Sequence, residues 1–248
     1  MENGLHEEKL GGDKTLLLLR DALSISTDAL LLAGFLPQDE EKEGLEIGAG
    51  VGTVSVLCAL RKKLRHIDAV EIQEELCAVA TDNLLHNGLT DAITLFEADV
   101  RRFSPPKRYP IIFSNPPYYK VGSGKSPKSR LSYLSRFEEN LTLSELFLAV
   151  GRLLSDDGRF FCVYPYRRKR ELLGEAEKQK LFPSRLLPVT KHEGAAPTLF
   201  LVELGRGASR FSEESPLALY TDESHTAESQ TMLRLYKEGI LFPEKENL

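Results

Sequence analysis

The sequence predicts an α/β fold: a mostly parallel, twisted sheet of seven strands with helices on both faces and one antiparallel strand near the C-terminus. Three observations predict it. Between residues 45 and 190, short apolar runs alternate with segments that are apolar at helical spacing. A glycine-rich turn, Gly48-Ala49-Gly50-Val51-Gly52, joins the first run to the first such segment. The last two runs are separated only by residues 192–197, a link that permits a hairpin but is too short for a parallel crossover.

Taken in order, residues 45–48 are the first strand, after an acidic stretch at 39–43. Residues 53–64 place Val54, Val56, Leu57, Leu60 and Leu64 on one helical face, and 67–71 are the second strand. Residues 74–87 are a helix stopped by Gly88, whose lack of a Cβ suits the left-handed position after a helix end. Residues 93–96 and 111–114 are the third and fourth strands, the latter preceded by Pro110. A long polar loop precedes a helix at 142–154, and Asp157-Gly158 turns into a strand at 159–164. A helix at 167–180 and strands at 186–190 and 199–204 complete the pattern. The chain reads as one domain, with a flexible or poorly packed N-terminus at 1–13, a body at 14–204 and an extension at 205–248. Leu217, Leu219, Tyr220, Leu233, Leu235 and Tyr236 are scattered through that extension, which is expected to wrap the surface.

Composition narrows the function classes. The chain is 42% hydrophobic and 28% charged, as globular domains are. No run of about 18 apolar residues exists to span a membrane, and the polar start has no signal-like pattern, so a cytoplasmic protein is expected. Cys58, Cys77 and Cys162 lie far apart with no C-x-x-C, which predicts buried free thiols and no zinc site. The net charge of −5 hides a local excess of cations. Residues 120–136 carry Lys120, Lys125, Lys128, Arg130 and Arg136 with no acid, and Arg167, Arg168, Lys169 and Arg170 form a second block. Basic groups gathered at one mouth let an acidic protein bind nucleic acid. Asp68, Asp82 and Asp91 read as surface charges, and His66 and His86 as residues at helix ends.

The glycine turn occupies the position where an open α/β sheet binds nucleotides, outside the carboxyl ends of its strands. Its spacing is G-x-G-x-G, with Thr53 where a dinucleotide fingerprint has its last glycine. Glu46, just before the turn, would repel a phosphate and suits a cationic amino group. Glu71 ends the second strand, 19 residues after Gly52, where a carboxylate can accept two ribose hydroxyls. Asp99 follows the third strand and can accept an exocyclic amine. Together they predict a nucleoside ligand without phosphates.

The most specific feature is Ser114-Asn115-Pro116-Pro117-Tyr118, directly after the apolar Ile111-Ile112-Phe113. Two prolines remove two backbone donors and leave carbonyl acceptors with no competing N–H. The Asn115 amide oxygen and the Pro116 carbonyl can therefore accept from one NH2 group, while Tyr118 offers a flat face to the ring bearing it. Two acceptors on an aniline-like nitrogen favour pyramidal geometry and free its lone pair. Both interact more strongly as positive charge develops, which stabilises the transition state selectively.

These residues resemble the class I, Rossmann-like amino-methyltransferases, and more closely the bacterial tRNA1(Val) (adenine-37-N6)-methyltransferase family. The segment Ser26-Thr27-Asp28-Ala29-Leu30-Leu31-Leu32, residues 45–57, Val70-Glu71-Ile72, residues 114–118, Glu138 with Thr142 and Glu145, and residues 152–160 all carry the resemblance. One departure is Ser135-Arg136-Phe137-Glu138, where the family often has Ala-Arg-His-Glu. The resemblance implies an enzyme that uses S-adenosyl-L-methionine and no metal to form N6-methyladenine in a tRNA anticodon loop. It implies that Thr27, Asp28, Glu46, Gly48, Gly50, Gly52, Glu71, Ile72, Asp99, Val100 and Asn115 bind the cofactor, Thr27 and Asp28 closing over its methionine end. Asn115, Pro116, Pro117 and Tyr118 would hold the target amine. From its own composition, the acid-free run that begins two residues after Tyr118 is expected to bring Lys120, Lys125, Lys128, Arg130 and Arg136 to the RNA backbone.

Other readings share parts of the pattern. A glutamine-N5 protein methyltransferase also uses Asn-Pro-Pro-Tyr, but usually carries a substantial N-terminal helical domain, and only about 40 residues precede the first strand here. An rRNA guanine-N2 methyltransferase shares the sheet, and a DNA adenine methyltransferase would need a DNA-reading domain that is not visible. An inactive RNA-binding module would have no need of intact acids and an intact Asn-Pro-Pro-Tyr.

Overall fold

The computed structural model describes residues 5–19, 25–117, 141–207, 211–222 and 229. The chain runs β1 (Leu5–Gly11), β2 (Lys14–Leu19), α1 (Thr27–Phe35), β3 (Asp39–Ile47), α2 (Thr53–Leu60), β4 (Leu64–Glu71), α3 (Glu74–Asn87), β5 (Ile93–Glu97) and β6 (Tyr109–Ser114). It continues through α4 (Leu143–Leu153), β7 (Leu154–Pro165), a 3-10 turn at Tyr166–Arg168, α5 (Lys169–Lys178), β8 (Leu181–Thr190), β9 (Leu199–Arg206), β10 (Ser212–Glu213) and β11 (Leu217–Ala218).

The main sheet has the order β10-β8-β9-β7-β6-β3-β4-β5, with β11 also on β8. Strands β3 to β7 pair in parallel, and β9 runs antiparallel to both β7 and β8. The expected sheet is therefore present, with its antiparallel strand, β9, inserted between β7 and β8. That insertion follows from the short β8–β9 link, which returns the chain beside β8.

Alternation along the strands divides the core in two. Ile111, Phe113, Phe161 and Val163 face α1, α2 and α3, while Ile112, Phe160, Cys162 and Tyr164 face α4 and α5. All of these are at most 2% exposed, which is why the strands read as continuous apolar runs. Among the described residues no helix is long and apolar enough to cross a membrane. Cys58, Cys77 and Cys162 are buried free thiols.

Helix ends follow their local chemistry. α3 stops at Gly88, left-handed at φ 67°, as the sequence predicts. α4 starts in a capping box, Thr142 accepting from the Glu145 amide while Glu145 accepts from Thr142 N–H at 2.9 Å. α2 ends at Leu60, earlier than its periodicity suggests, and Lys62 takes a left-handed φ of 50°. His66 consequently lies in β4, not at a helix end, with Nε2 3.0 Å from Thr94 Oγ1. Asp68, expected at the surface, is only 5% exposed and accepts from the Tyr109 hydroxyl at 2.7 Å and from Lys107 at 2.9 Å.

The N-terminus corrects the expectation of poor packing. β1 and β2 form an antiparallel hairpin with Leu10, Leu16 and Leu18 fully buried. The hairpin docks on α3 through two asparagines one turn apart. Asn87 accepts from Thr15 N–H at 3.2 Å and donates to Thr15 O at 2.7 Å. Asn83 accepts from Leu17 N–H at 2.6 Å and donates to Leu17 O at 3.0 Å. Four helical residues rise about 6 Å and two strand residues about 6.6 Å, so the i, i+4 amides match alternate strand residues and imitate a neighbouring strand. Each buried backbone group left unpaired would cost about 1–3 kcal/mol. In the extension, β10 and β11 add to the edge of β8 and bury Leu217 and Leu219, while Leu233, Leu235 and Tyr236 lie outside the described residues.

Candidate active site

β3 stands between β4 and β6, and the chain leaves it for β4 on one side and returns to β6 on the other. The carboxyl ends of β3 and β6 are thus a topological switch point, where an open sheet leaves a crevice. Ser114 ties the two ends together, its hydroxyl donating to Ile47 O at 2.8 Å. Asn115 and Gly48 follow directly on their respective strands.

The crevice is a cleft with an empty volume of about 1040 Å³, open to solvent. Its wall includes Glu46, Gly48, Gly50, Glu71, Ile72, Asp99, Val100, Asn115 and Pro117. Residues on four strand ends, read separately from the sequence, therefore share one cavity. Gly52, Thr27, Asp28 and Pro116 are not in that wall. Gly52 caps α2 at φ 83°, and a Cβ there would lie 3.6 Å from Ala80 Cβ. Ser26 and Ala29, three apart in the first turn of α1, line the cleft in place of Thr27 and Asp28. Tyr118, Lys120, Lys125, Lys128, Arg130 and Arg136 lie outside the described residues.

The glycine turn is built from backbone. Gly48 and Ala49 N–H groups donate to Val70 O at 2.9 and 3.1 Å, and Gly48 and Gly50 have φ of 72° and 59°. A Cβ on either would meet no protein atom within 4 Å, so conformation rather than crowding requires glycine there. Glu71 is more than a strand-end acid. One oxygen accepts from Gly50 N–H at 2.8 Å, and the other from Ile72 and Gln73 N–H at 2.9 and 3.0 Å. Three amides thus orient a carboxylate whose remaining lone pairs are available. Beside it, the Gln73 Oε1 is buried with no partner, and Ile72 is 42% exposed in the cleft wall.

Two acids differ from their sequence reading. Asp99 lines the cleft, but Arg101 forks onto it at 2.8 and 3.0 Å and also donates its backbone N–H at 3.0 Å. The Arg101 guanidinium holds the Asp99 carboxyl below the usual carboxylate range. Arg101 continues to Glu145 at 3.1 Å, linking the β5 end to the start of α4. The other acid, Glu46, is 2% exposed, and its Oε2 accepts from both the Ser55 amide, at 3.0 Å, and the Ser55 hydroxyl. Burial pushes its carboxyl up to about 8, against the pull of Ser55 and with a push from the Glu71 carboxylate.

That shift sets a pH dependence. Between the ordinary glutamate value and about 8, the folded protein holds a proton that the unfolded chain has released. Glu46 therefore contributes stability that is complete at low pH and lost as pH rises through that window. Glu46→Gln keeps an acceptor for Ser55 and removes the titration. Thermal melts at about pH 5 and about pH 8 should show the variant gaining on the wild type as pH rises; a constant difference would mean that Glu46 is charged throughout.

Residues that the sequence did not single out are Ser26, Ala29, Gln73, Leu76 and Leu141 in the wall, with Arg101 behind it. Among the described residues, no group of three or more His, Cys, Asp or Glu side chains is set to hold a metal ion.

The Methyltransferase small domain family matches residues 21–131. Over 223 residues the chain is 31% identical to the tRNA1(Val) (adenine(37)-N6)-methyltransferase of Bacteroides fragilis, which covers 89% of this chain and 92% of that protein. The chain belongs to the tRNA1(Val) (adenine(37)-N6)-methyltransferase family. The protein of the same name in Dickeya chrysanthemi is 31% identical over 203 residues, 81% of this chain and 79% of its own length. Among solved structures, one described as a predicted O-methyltransferase of Agrobacterium tumefaciens superposes with a TM-score of 0.67 at 18% identity, covering 84% of this chain and 95% of that one. At that identity the likeness concerns the fold of this family member, a class I methyltransferase sheet.

Proposed function

We propose that this family member is an S-adenosylmethionine-dependent methyltransferase that forms N6-methyladenine in a tRNA, at adenine 37 as named in its relatives. The observation that carries the reading is the shared cleft: Asn115 and Pro117 from β6 open into the same cavity as Glu71 and the glycine turn. A transfer between two bound molecules needs this adjacency, because holding both in one geometry removes much of the entropic barrier.

The residues present fit a nucleoside cofactor. Glu71 and the unpaired Gln73 Oε1 are acceptors for ribose hydroxyls, and Ile72 is an apolar surface for a flat ring. Glycines leave the backbone open to a ligand, and a cationic amino group bound beside Glu46 would favour the carboxylate form that burial disfavours. Asp99, already forked by Arg101, keeps little acceptor capacity, so its contribution is to fix the turn beside the base. When bound, S-adenosylmethionine supplies an electrophilic methyl group. Asn115, through its amide oxygen, and Pro116, through its carbonyl, accept from the target amine and direct its lone pair. No strong general base is needed, because the ammonium formed is acidic. We take the chain as one methyltransferase domain working in the cytoplasm without a metal. The test is to incubate it with labelled S-adenosylmethionine and total tRNA, rRNA, DNA or protein. Label in tRNA supports the reading, and label only in protein refutes it.

The second basic block supports an RNA substrate. Arg168 stacks on Tyr164 at 5.0 Å and pairs with Glu171 at 2.7 Å, and Lys169 stacks on Tyr166 at 4.6 Å and reaches Glu213 at 3.7 Å. Those two cations serve the fold. Arg167 and Arg170 are exposed at the carboxyl end of β7, the neighbour of β6. Phosphate contacts contribute about 0.7–0.9 to the salt slope each. Arg167→Glu with Arg170→Glu should raise the Michaelis constant for tRNA and lower that slope by about 1–2, with S-adenosylmethionine binding unchanged. An unaltered slope would assign the RNA backbone to other residues.

A further inference from the structure

We infer that Asn83 is a positioning residue for the cofactor cleft, holding the glycine turn on one side and the N-terminal hairpin on the other. The inference rests on the reading of the cleft as a cofactor site. Asn83 is 0% exposed, on the face of α3 that also carries Leu76, Ala80 and Asn87. Leu76 lines the cleft, and Ala80 is the residue against which Gly52 packs.

The side chain of Asn83 makes three hydrogen bonds. Two go to Leu17 of β2, at 2.6 and 3.0 Å, and the third is donated to Val51 O at 2.9 Å. Val51 is the residue between the last two glycines of the turn, and it lines the cleft. One buried amide thus joins a strand near the N-terminus to the loop on which the ligand would rest. Asn87 is its internal control. It makes the same pair of bonds to Thr15 and donates to Asn83 O at 2.8 Å, but has no bond to the turn.

Glycines at positive φ fold this loop but do little to stiffen it, because glycine is the residue with the most backbone freedom to lose. A fixed acceptor for the cofactor needs the loop held from behind. The Gly48 and Ala49 amides are held by Val70 and the Gly50 amide by Glu71. The carbonyl of Val51 is held by Asn83. The hairpin adds to this by packing Leu16 and Leu18, both 0% exposed, into the same core as Val51 and Val54. The hairpin is thereby joined to the turn across α3 by the hydrogen bonds of Asn83 and by a shared core.

The test is calorimetric binding of S-adenosylmethionine, with steady-state kinetics, for the wild type, Asn83→Ala and Asn87→Ala. Asn83→Ala should raise Kd and the Michaelis constant for S-adenosylmethionine by about 10–100-fold, leaving kcat at saturation and the Michaelis constant for tRNA within about threefold. Asn87→Ala should lower Tm comparably but shift Kd by less than about threefold. Equal shifts in the two variants would overturn the inference, as would an unchanged Kd in Asn83→Ala. A second measurement needs only the wild type. Hydrogen exchange with and without bound S-adenosylhomocysteine should show added protection at the Leu17 amide as well as at residues 48–52. Protection confined to the turn would sever the hairpin from the site and overturn the inference. A wild type that binds neither compound would overturn the cofactor reading beneath it, and the inference with it.

Discussion

Replacing Asn115 with alanine should lower turnover by about 10²–10³-fold, the scale for losing one preorganised electrostatic partner of a transition state. Asn115 follows β6 directly at the switch point, in the wall of the cleft and one residue beyond Ser114, which is pinned to Ile47 O. Its amide oxygen would meet the target NH2 as positive charge grows on the nitrogen. An acceptor there matters more in the transition state than in the ground state, so the loss should fall on kcat. S-adenosylmethionine affinity should change by less than about threefold, because the cofactor is held mainly by the β3 and β4 ends. Single-turnover kinetics at saturating tRNA would separate the two. Near-normal turnover would place the chemistry elsewhere.

The second large effect is at Glu71. Glu71→Ala should weaken S-adenosylmethionine binding by about 1–3 kcal/mol, the scale for hydrogen bonds to a charged acceptor, or about 5–150-fold in Kd. The structure adds a second consequence. The same carboxylate accepts from the Gly50, Ile72 and Gln73 amides, so its removal also frees the glycine turn from β4. A fall in Tm without any ligand should therefore accompany the loss of binding. Glu71→Gln retains the shape but turns an NH2 group towards N–H donors, and should be nearly as damaging. A normal Tm in both variants, measured beside calorimetry, would mean that the three amides are satisfied by water.

The sheet was legible because each of its central strands is buried on both faces and reads as a short apolar run. α3 was legible to the residue, since Gly88 is a chemical stop and helical spacing holds from Leu76 to Leu84. Strand-end acids were legible as positions but not as states. Nothing in the order of residues tells that Arg101, two residues on, closes over Asp99, or that Ser55 on α2 occupies one oxygen of the Glu46 carboxyl in the cleft wall. Those outcomes depend on side-chain directions that only packing fixes. The first turn of α1 gives the same lesson: Thr27 and Asp28 are in the right turn, but helical geometry presents Ser26 and Ala29 to the cleft.

The hairpin was the largest omission. Its signal was present as the turn residues Gly11-Gly12-Asp13 between two short runs, with φ of 115° and 56° at the glycines. It was hard to weigh because β2 reads Thr-Leu-Leu-Leu-Leu, which suits a helix as well as a strand. What decides for a strand is Asn83 and Asn87, 66 and 72 residues away, whose amides complete its hydrogen bonding.

The central claim is that this chain methylates N6 of one adenine in a tRNA. The most direct measurement uses an unmodified tRNA1(Val) transcript and the same transcript with guanine at position 37, each incubated with labelled S-adenosylmethionine, digested to nucleosides and separated by chromatography with mass detection. Label should appear as N6-methyladenosine from the first transcript and be absent from the second. Equal labelling of both, or label in any nucleoside other than N6-methyladenosine, would contradict the account.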